Sequence, residues 1–240
     1  MTPLSSLTQK PEFKEASRSL RRALQCQGSS GIISEFKRRS PSLGWISEHA
    51  DAAKITRGYT EVGAAGISCL TDEPFFGGTL ADFATVRRAN YETPILRKDF
   101  MIDEYQIFEA KSMGADVILL IAECLDKQQI KHLSTIAYDL GLEVLLEMHS
   151  AEQLDKICDT IDLVGINNRN LKTFSVSIQT SIDLSAQIPS QFVKVAESGI
   201  SNPKTLPLLR GYGFEGFLIG EAFMKTADPA NALKDFIAAI

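Results

Sequence analysis

The sequence predicts an α/β fold, a single closed (β/α)8 barrel with a short N-terminal helix before its first strand. Three observations carry that expectation. Eight short apolar runs recur along the 240 residues, mostly unbroken, as parallel strands buried on both faces require. Stretches with helical spacing lie between them and stop at glycine, the usual left-handed cap. Charged residues recur at the C-terminal end of successive runs, where such a barrel gathers its catalytic groups. An open doubly wound sheet is the alternative, but it rarely holds eight units in so few residues.

The elements follow in order. Residues 1–240 read as one domain, with residues 1–30 as an N-terminal segment and 31–240 as the barrel. Pro3 to Pro11 reads as a loose lead, and Phe13, Ala16, Leu20, Ala23 and Leu24 mark one amphipathic helix. Strand one, 31–36, ends in Glu35 and Lys37, which share a face because they stand two residues apart. Ala50, Ala53, Ile55 and Tyr59 then space a helix that stops at Gly63. Strand two covers 66–70. Strand three covers 94–96 and ends in Arg97-Lys98-Asp99. Asp103 caps a helix through Tyr105, Ile107, Phe108 and Ala110 to Gly114. Strand four, 116–121, precedes a helix capped by Asp126 and stopped at Gly141. Strand five, 142–146, ends at Glu147, and Ser150 is the next N-cap. Strand six, 163–166, leads to Asn167 and Arg169; strand seven, 192–196, leads to Glu197-Ser198-Gly199. Strand eight, 216–219, leads to Gly220-Glu221-Ala222, which opens a short extra helix to Lys225.

Composition narrows the function classes. Hydrophobic content of 44% and charged content of 23% are those of an ordinary globular protein. A formal charge of −5 argues against nucleic acid as a partner. Lys37, Arg38, Arg39, Arg97 and Lys98 could still make one cleft locally cationic. No apolar run approaches the roughly 18 residues of a membrane span, and the polar amino terminus does not read as a signal peptide. The four cysteines (Cys26, Cys69, Cys124, Cys158) are widely spaced, with Cys69 and Cys124 in or beside apolar strands. That usage fits a reducing cytoplasm. His49, His132 and His149 lack metal-ligand spacing, so no metal is expected. His149, two residues after Glu147, could touch the mouth but reads first as a helix-start residue. No nucleotide or cofactor motif appears.

The chemistry therefore rests on carboxylates, lysines and an anion anchor. Lys98 with Glu147 opposite makes a natural acid–base pair. Ser198 and Gly199 after strand seven, and Gly220 and Glu221 after strand eight, stand where barrels often hold phosphate, with Ser40 after strand one able to add a hydroxyl. The carboxylate of Glu221 carries the same sign as phosphate and should turn away from it.

The runs Glu35-Phe36-Lys37-Arg38-Arg39-Ser40-Pro41-Ser42, Leu96-Arg97-Lys98-Asp99-Phe100, Leu146-Glu147, Gly165-Ile166-Asn167-Asn168-Arg169-Asn170-Leu171 and Val195-Ala196-Glu197-Ser198-Gly199-Ile200 together resemble the indole-3-glycerol-phosphate synthase family. The resemblance runs from about Phe13 to the C-terminus. It implies a tryptophan-pathway carboxy-lyase without a cofactor. Such an enzyme turns 1-(2-carboxyphenylamino)-1-deoxyribulose 5-phosphate, a small phosphorylated substrate, into indole-3-glycerol phosphate, carbon dioxide and water. By that resemblance Lys98 is the general acid, and Glu147 and Lys37 serve proton transfer. Glu35 orients Lys37, while Asn167 and Glu197 position hydroxyls or stabilise a cationic intermediate. Arg169 and Lys37 are candidates for the substrate carboxylate; Ser40, Gly199, Gly220 and the Glu221 amide hold phosphate; Ser68, ending strand two, lines the pocket. Which lysine acts at which step stays open, as does another tryptophan-pathway enzyme as a partner. Two departures stand out. Leu43-Gly44 follows Ser-Pro-Ser where many members carry lysine. Of the family's longer N-terminal extension, whose helix covers the barrel mouth, only the piece from Phe13 to Leu24 is recognisable. A sister barrel such as phosphoribosylanthranilate isomerase uses a cysteine and aspartate pair at its strand ends, where this chain offers Lys98 and Glu147 instead. A barrel that only binds is disfavoured by the complete set of charged strand ends.

Overall fold

The structure is a computed structural model and describes residues 2–170 and 173–240, so Leu171 at the end of the fourth motif lies outside it. Eight parallel strands close on themselves: β1 (Ile32–Phe36), β2 (Gly66–Leu70), β3 (Ile95–Lys98), β4 (Val117–Ile121), β5 (Glu143–Met148), β6 (Leu163–Asn167), β7 (Val193–Glu197) and β8 (Phe214–Ile219). β8 returns to pair with β1, which excludes the open sheet. Every apolar run falls on one strand, with small shifts at the ends. At β3 the shift matters, because Arg97 and Lys98 lie within the strand, opposite Cys69 and Leu70. The pleat sends them to opposite faces.

The N-terminal segment departs from the expected single helix. It forms α1 (Leu4–Leu7), α2 (Pro11–Lys14) and α3 (Leu20–Gln25), so the loose lead contains a helical turn and the amphipathic stretch is broken. Tertiary hydrogen bonds break it. Lys111 Nζ donates to Glu15 O at 2.9 Å and Ser17 Oγ at 3.0 Å, and Arg18 N donates to Asp116 Oδ1 at 2.8 Å. Ser19 then restarts the helix by accepting from Arg22 N.

Around the barrel run α4 (Ala52–Glu61), α5 (Glu73–Phe76), α6 (Leu80–Ala89), α7 (Glu104–Ser112), α8 (Lys127–Asp139), α9 (Gln179–Ser185), α10 (Thr205–Gly211), α11 (Glu221–Met224) and α12 (Pro229–Ala238). The stops at Gly63, Gly114 and Gly141 have φ of 103°, 78° and 70°, as left-handed caps require. Asp103 and Asp126 each form a capping box, with Gln106 and Gln129. Ser150 does not cap by its side chain, and the element after it is a 3-10 helix (Ala151–Lys156).

The core has two shells. One lies between strands and helices. The other fills the barrel interior with Ile33, Leu96, Val117, Leu119, Leu145, Leu163, Val193, Val195 and Leu218, joined from below by Leu20 and Leu24 of α3. Leu20 occupies the notch at Gly66, where an added Cβ would meet its Cδ1 at 2.5 Å. The apolar filling thus seals the N-terminal end. Further along on the same inward face, two residues on in β1, β3, β5 and β7 and four in β6, the side chains become Glu35, Lys98, Glu147, Glu197 and Asn167.

Candidate active site

These inward groups meet at the C-terminal end of the barrel. Lys98 Nζ stands 2.8 Å from Glu197 Oε2, 3.6 Å from Glu147 Oε2 and 3.7 Å from Glu35 Oε2. Lys37 Nζ lies 2.5 Å from Glu35 Oε1, as their same-face spacing predicts. Asn167 Nδ2 donates to Glu147 Oε1 at 3.1 Å, and its Oδ1 accepts from Arg169 N at 3.0 Å. Above the cluster opens a cavity of about 380 Å³, whose walls include Lys37, Lys98, Glu147, Asn167, Arg169 and the apolar Leu70, Phe76 and Phe100.

The electrostatics follow from burial and neighbours. Burial acts to lower the Lys98 pKa, but the carboxylates of Glu197, Glu147 and Glu35 outweigh it and raise it above the ordinary lysine value. Burial likewise pushes Glu35 and Glu147 up. Lys37 and Lys98 overcome that at Glu35, and Lys98, His149 and the Asn167 amide do so at Glu147, so both end below the ordinary carboxyl value. Glu197 goes the other way: burial dominates, Glu147 adds to it, and despite Lys98 its pKa is pushed up to about 8. Its Oε1 finds no hydrogen-bond partner among the described residues, and it rests against Gly165, where any side chain would overlap it.

The cavity wall also takes in Ser40, Ser42, Ser198, Gly199, Ser201, Gly220 and Glu221. Ser198 and Gly199 are consecutive left-handed residues, with φ of 65° and 72°. That conformation is uncommon for serine and clusters at functional turns. Ser40 Oγ also accepts from Leu43 N at 3.2 Å, bracing a short hairpin of Arg39–Ser40 with Gly44–Trp45. The side-chain space of Gly220 is already taken by Glu35, whose Oε1 would lie 2.6 Å from an added Cβ. Glu221 turns its carboxylate toward Arg169 Nη2 at 3.5 Å.

Several sequence expectations need correction. Ser68 sits inside β2 instead of ending it; it is fully buried, opposite Glu35 and Leu96, and absent from the cavity wall, because Leu70 covers the position above it. The cationic cluster is not one cleft. Arg97 is buried behind the barrel wall with Asp99 at 3.1 Å and Glu109 at 2.9 Å, and Arg38 pairs with Asp82. Cys124 is exposed and lines the cavity, unlike the buried Cys69. His149 does stand at the start of the 3-10 helix, its N–H donating to Gln153 Oε1 at 2.7 Å, and its ring also reaches the site, with Nε2 3.4 Å from Glu147 Oε1. Its spacing of two from Glu147 was the legible signal. Lys225, expected only as the end of a short helix, also lines the cavity.

Comparison with known proteins agrees with this geometry. The family model for indole-3-glycerol phosphate synthase matches residues 1–236. The indole-3-glycerol phosphate synthase of Bacteroides thetaiotaomicron is 53% identical over 225 residues, covering 94% of this chain and 86% of that protein. The synthase of Verminephrobacter eiseniae is 44% identical over 241 residues, covering 96% and 90%. Among solved structures, a 3-hexulose-6-phosphate synthase superposes with a TM-score of 0.67 at 17% identity, covering 87% of this chain and 99% of that one. The tryptophan synthase alpha subunit of Legionella pneumophila gives 0.66 at 15%, covering 92% and 96%. At such identities the structural likeness speaks for the barrel fold. Among the described residues no helix is long and apolar enough to cross a membrane. By its sequence relatives and its whole-length family match, the chain belongs to the indole-3-glycerol phosphate synthase family.

Proposed function

We infer that this chain, working as one barrel domain, is a carboxy-lyase that converts 1-(2-carboxyphenylamino)-1-deoxyribulose 5-phosphate into indole-3-glycerol phosphate, carbon dioxide and water. The observation that carries the residue roles is the placing of Lys98, a buried ammonium between three carboxyls, at the floor of the cavity. Lys98 gives a proton to the substrate carbonyl oxygen as the aromatic ring carbon attacks it. Closing the ring breaks aromaticity, and loss of carbon dioxide restores it. The hydroxyl then departs as water while a proton leaves the carbon beside nitrogen. Glu147 and Lys37 are suited to those later transfers, since each sits beside a group of opposite charge. Glu35 holds Lys37 in place. Glu197 and Asn167 steady the sugar hydroxyls and the positive charge that builds on nitrogen. Lys37 and Arg169 face the substrate carboxylate, with Arg169 shared with Glu221. Phosphate lies at the end lined by Ser40, Ser198, Gly199, Gly220 and Glu221. Cys26, Cys69, Cys124 and Cys158 are all free thiols, which suits a cytoplasmic setting.

Turnover of the carboxyphenylamino substrate, followed by the rise of indole fluorescence, tests the reading. Wild-type protein should form product. Lys98→Ala should lose on the order of 10²-fold or more in kcat, yet still bind indole-3-glycerol phosphate, because the phosphate end lies on other strands. No product from the wild type would overturn the function. Near-normal turnover in the variant would overturn the role of Lys98.

A further inference from the structure

The proposed substrate has two anionic ends, a carboxylate and a phosphate monoester that carries about −1.5 to −2 charges near neutral pH. Taking such groups out of water requires opposite charge in the site. The cavity wall carries four cationic side chains, Lys37, Lys98, Arg169 and Lys225. Three are already balanced by carboxylates: Lys37 by Glu35 at 2.5 Å, Lys98 by Glu197 at 2.8 Å and Arg169 by Glu221 at 3.5 Å. The two arginines after β1 are engaged elsewhere. Arg38 pairs with Asp82, while Arg39 donates to Pro74 O at 3.1 Å and lies over the Trp45 ring. Among the described residues the Lys225 ammonium makes no ion pair and no hydrogen bond. It is exposed, so hydration holds its charge at no cost while the cavity is open to water.

Lys225 also stands close to the glycine turn after β8. Gly220 and Glu221 open α11, a single helical turn, and Lys225 closes it. The Met224 N–H donates to Gly220 O at 2.9 Å, and the Lys225 N–H donates to Glu221 O at 3.3 Å. One turn rises about 5.4 Å, which a lysine side chain spans. Residues four apart share a helix face, and Glu221 and Lys225 both reach the cavity wall. Glu221 pairs with Arg169 across the mouth instead of with Lys225, which leaves this ammonium uncommitted. The groups placed around the phosphate otherwise lack a cation. Ser40, Ser198, Gly199 and Gly220 are neutral, and the Glu221 carboxylate has the wrong sign.

We propose that Lys225 is the cation of the phosphate subsite, an inference that rests on the synthase reading above. Lys225 pairs with the phosphate monoester, while Lys37 and Arg169 serve the carboxylate at the other end of the substrate. An ammonium on a flexible four-carbon stem meets the phosphate as a mobile point charge. The phosphate keeps its charge and its bonds through ring closure, decarboxylation and dehydration. Its contact with Lys225 is therefore equally strong in ground state and transition state, and it acts on binding instead of on the chemical step.

The test compares wild type with Lys225→Ala, Lys225→Gln and Lys225→Arg, by steady-state turnover and by phosphorus NMR titration with inorganic phosphate alone. Lys225→Ala and Lys225→Gln should raise KM by about 10-fold or more, with kcat changed by less than about twofold. Both should weaken inorganic phosphate binding by a similar factor. Lys225→Arg keeps the charge and should stay within about threefold of wild type in KM. Added salt should raise the KM of the wild type more steeply than that of Lys225→Ala. A KM in Lys225→Ala within about twofold of wild type, a loss confined to kcat, or equal losses in Lys225→Ala and Lys225→Arg overturns the assignment while the synthase reading stands. Absence of indole formation in the wild type overturns the synthase reading itself, and the phosphate titration then decides Lys225 alone, because binding an anion needs no turnover.

Discussion

At the residue scale the site is a problem of charge balance. Among the described residues, Glu35, Glu147 and Glu197 face two ammonium groups, Lys37 and Lys98, inside a largely buried cluster. One carboxyl holding a proton makes the cluster neutral, and burial selects Glu197, whose pKa rises to about 8 from 4.5. Between those two values the folded protein holds a proton that the unfolded chain has released. The stability this group contributes is therefore full below 4.5 and is lost as pH rises through about 8. Glu35 and Glu147 are lowered, so theirs is present above 4.5 and lost only as pH falls below it. Glu197→Gln keeps the neutral form permanently. Its urea midpoint should gain on that of the wild type steadily between about pH 5 and pH 8. A constant gap across that range would reject a protonated Glu197.

At the element scale, glycines inside strands make room for the acids. Gly165 on β6 leaves the space that Glu197 enters from β7, and a Cβ there would also crowd Leu145 Cδ1 at 3.2 Å. A glycine within an apolar strand signals a close approach of this kind, so the notch was legible in the sequence although its occupant was not. Gly165→Ala should push Glu197 off Lys98 and cost on the order of 10²-fold in kcat, as small misplacements of catalytic groups do. Gly211, the last residue of α10, has open space around it and no positive φ. Gly211→Ala should raise stability by about 0.4–1 kcal/mol and leave turnover alone. Chemical denaturation and the fluorescence assay on both variants separate the two kinds of glycine. If Gly165→Ala kept full activity, the notch would be incidental.

Across the whole molecule, function and closure lie at opposite ends of the barrel. Leu20 and Leu24 plug the N-terminal end, while the charged cluster tops the apolar filling at the other. Leu20→Ala should therefore cost about 2–5 kcal/mol of unfolding free energy with no change in single-turnover rate. A matching fall in that rate would mean that the plug and the site are mechanically coupled. Strand count, parallel order and the inward placing of Glu35, Lys98, Glu147, Asn167 and Glu197 were all legible in the chain, because burial on both faces and a period of two are local properties. Partnership was not. Lys98 and Glu197 are 99 positions apart, and Arg38 and Asp82 are 44 apart. Barrel closure alone decides which charge each one meets. For the same reason Arg97 left the site, His149 joined it, and tertiary hydrogen bonds from Lys111 and Asp116 divided the first helix. By itself the sequence determined the barrel, the family and the end that carries the chemistry; only the tertiary structure decided the charge partners, since those depend on distances set once the last strand meets the first.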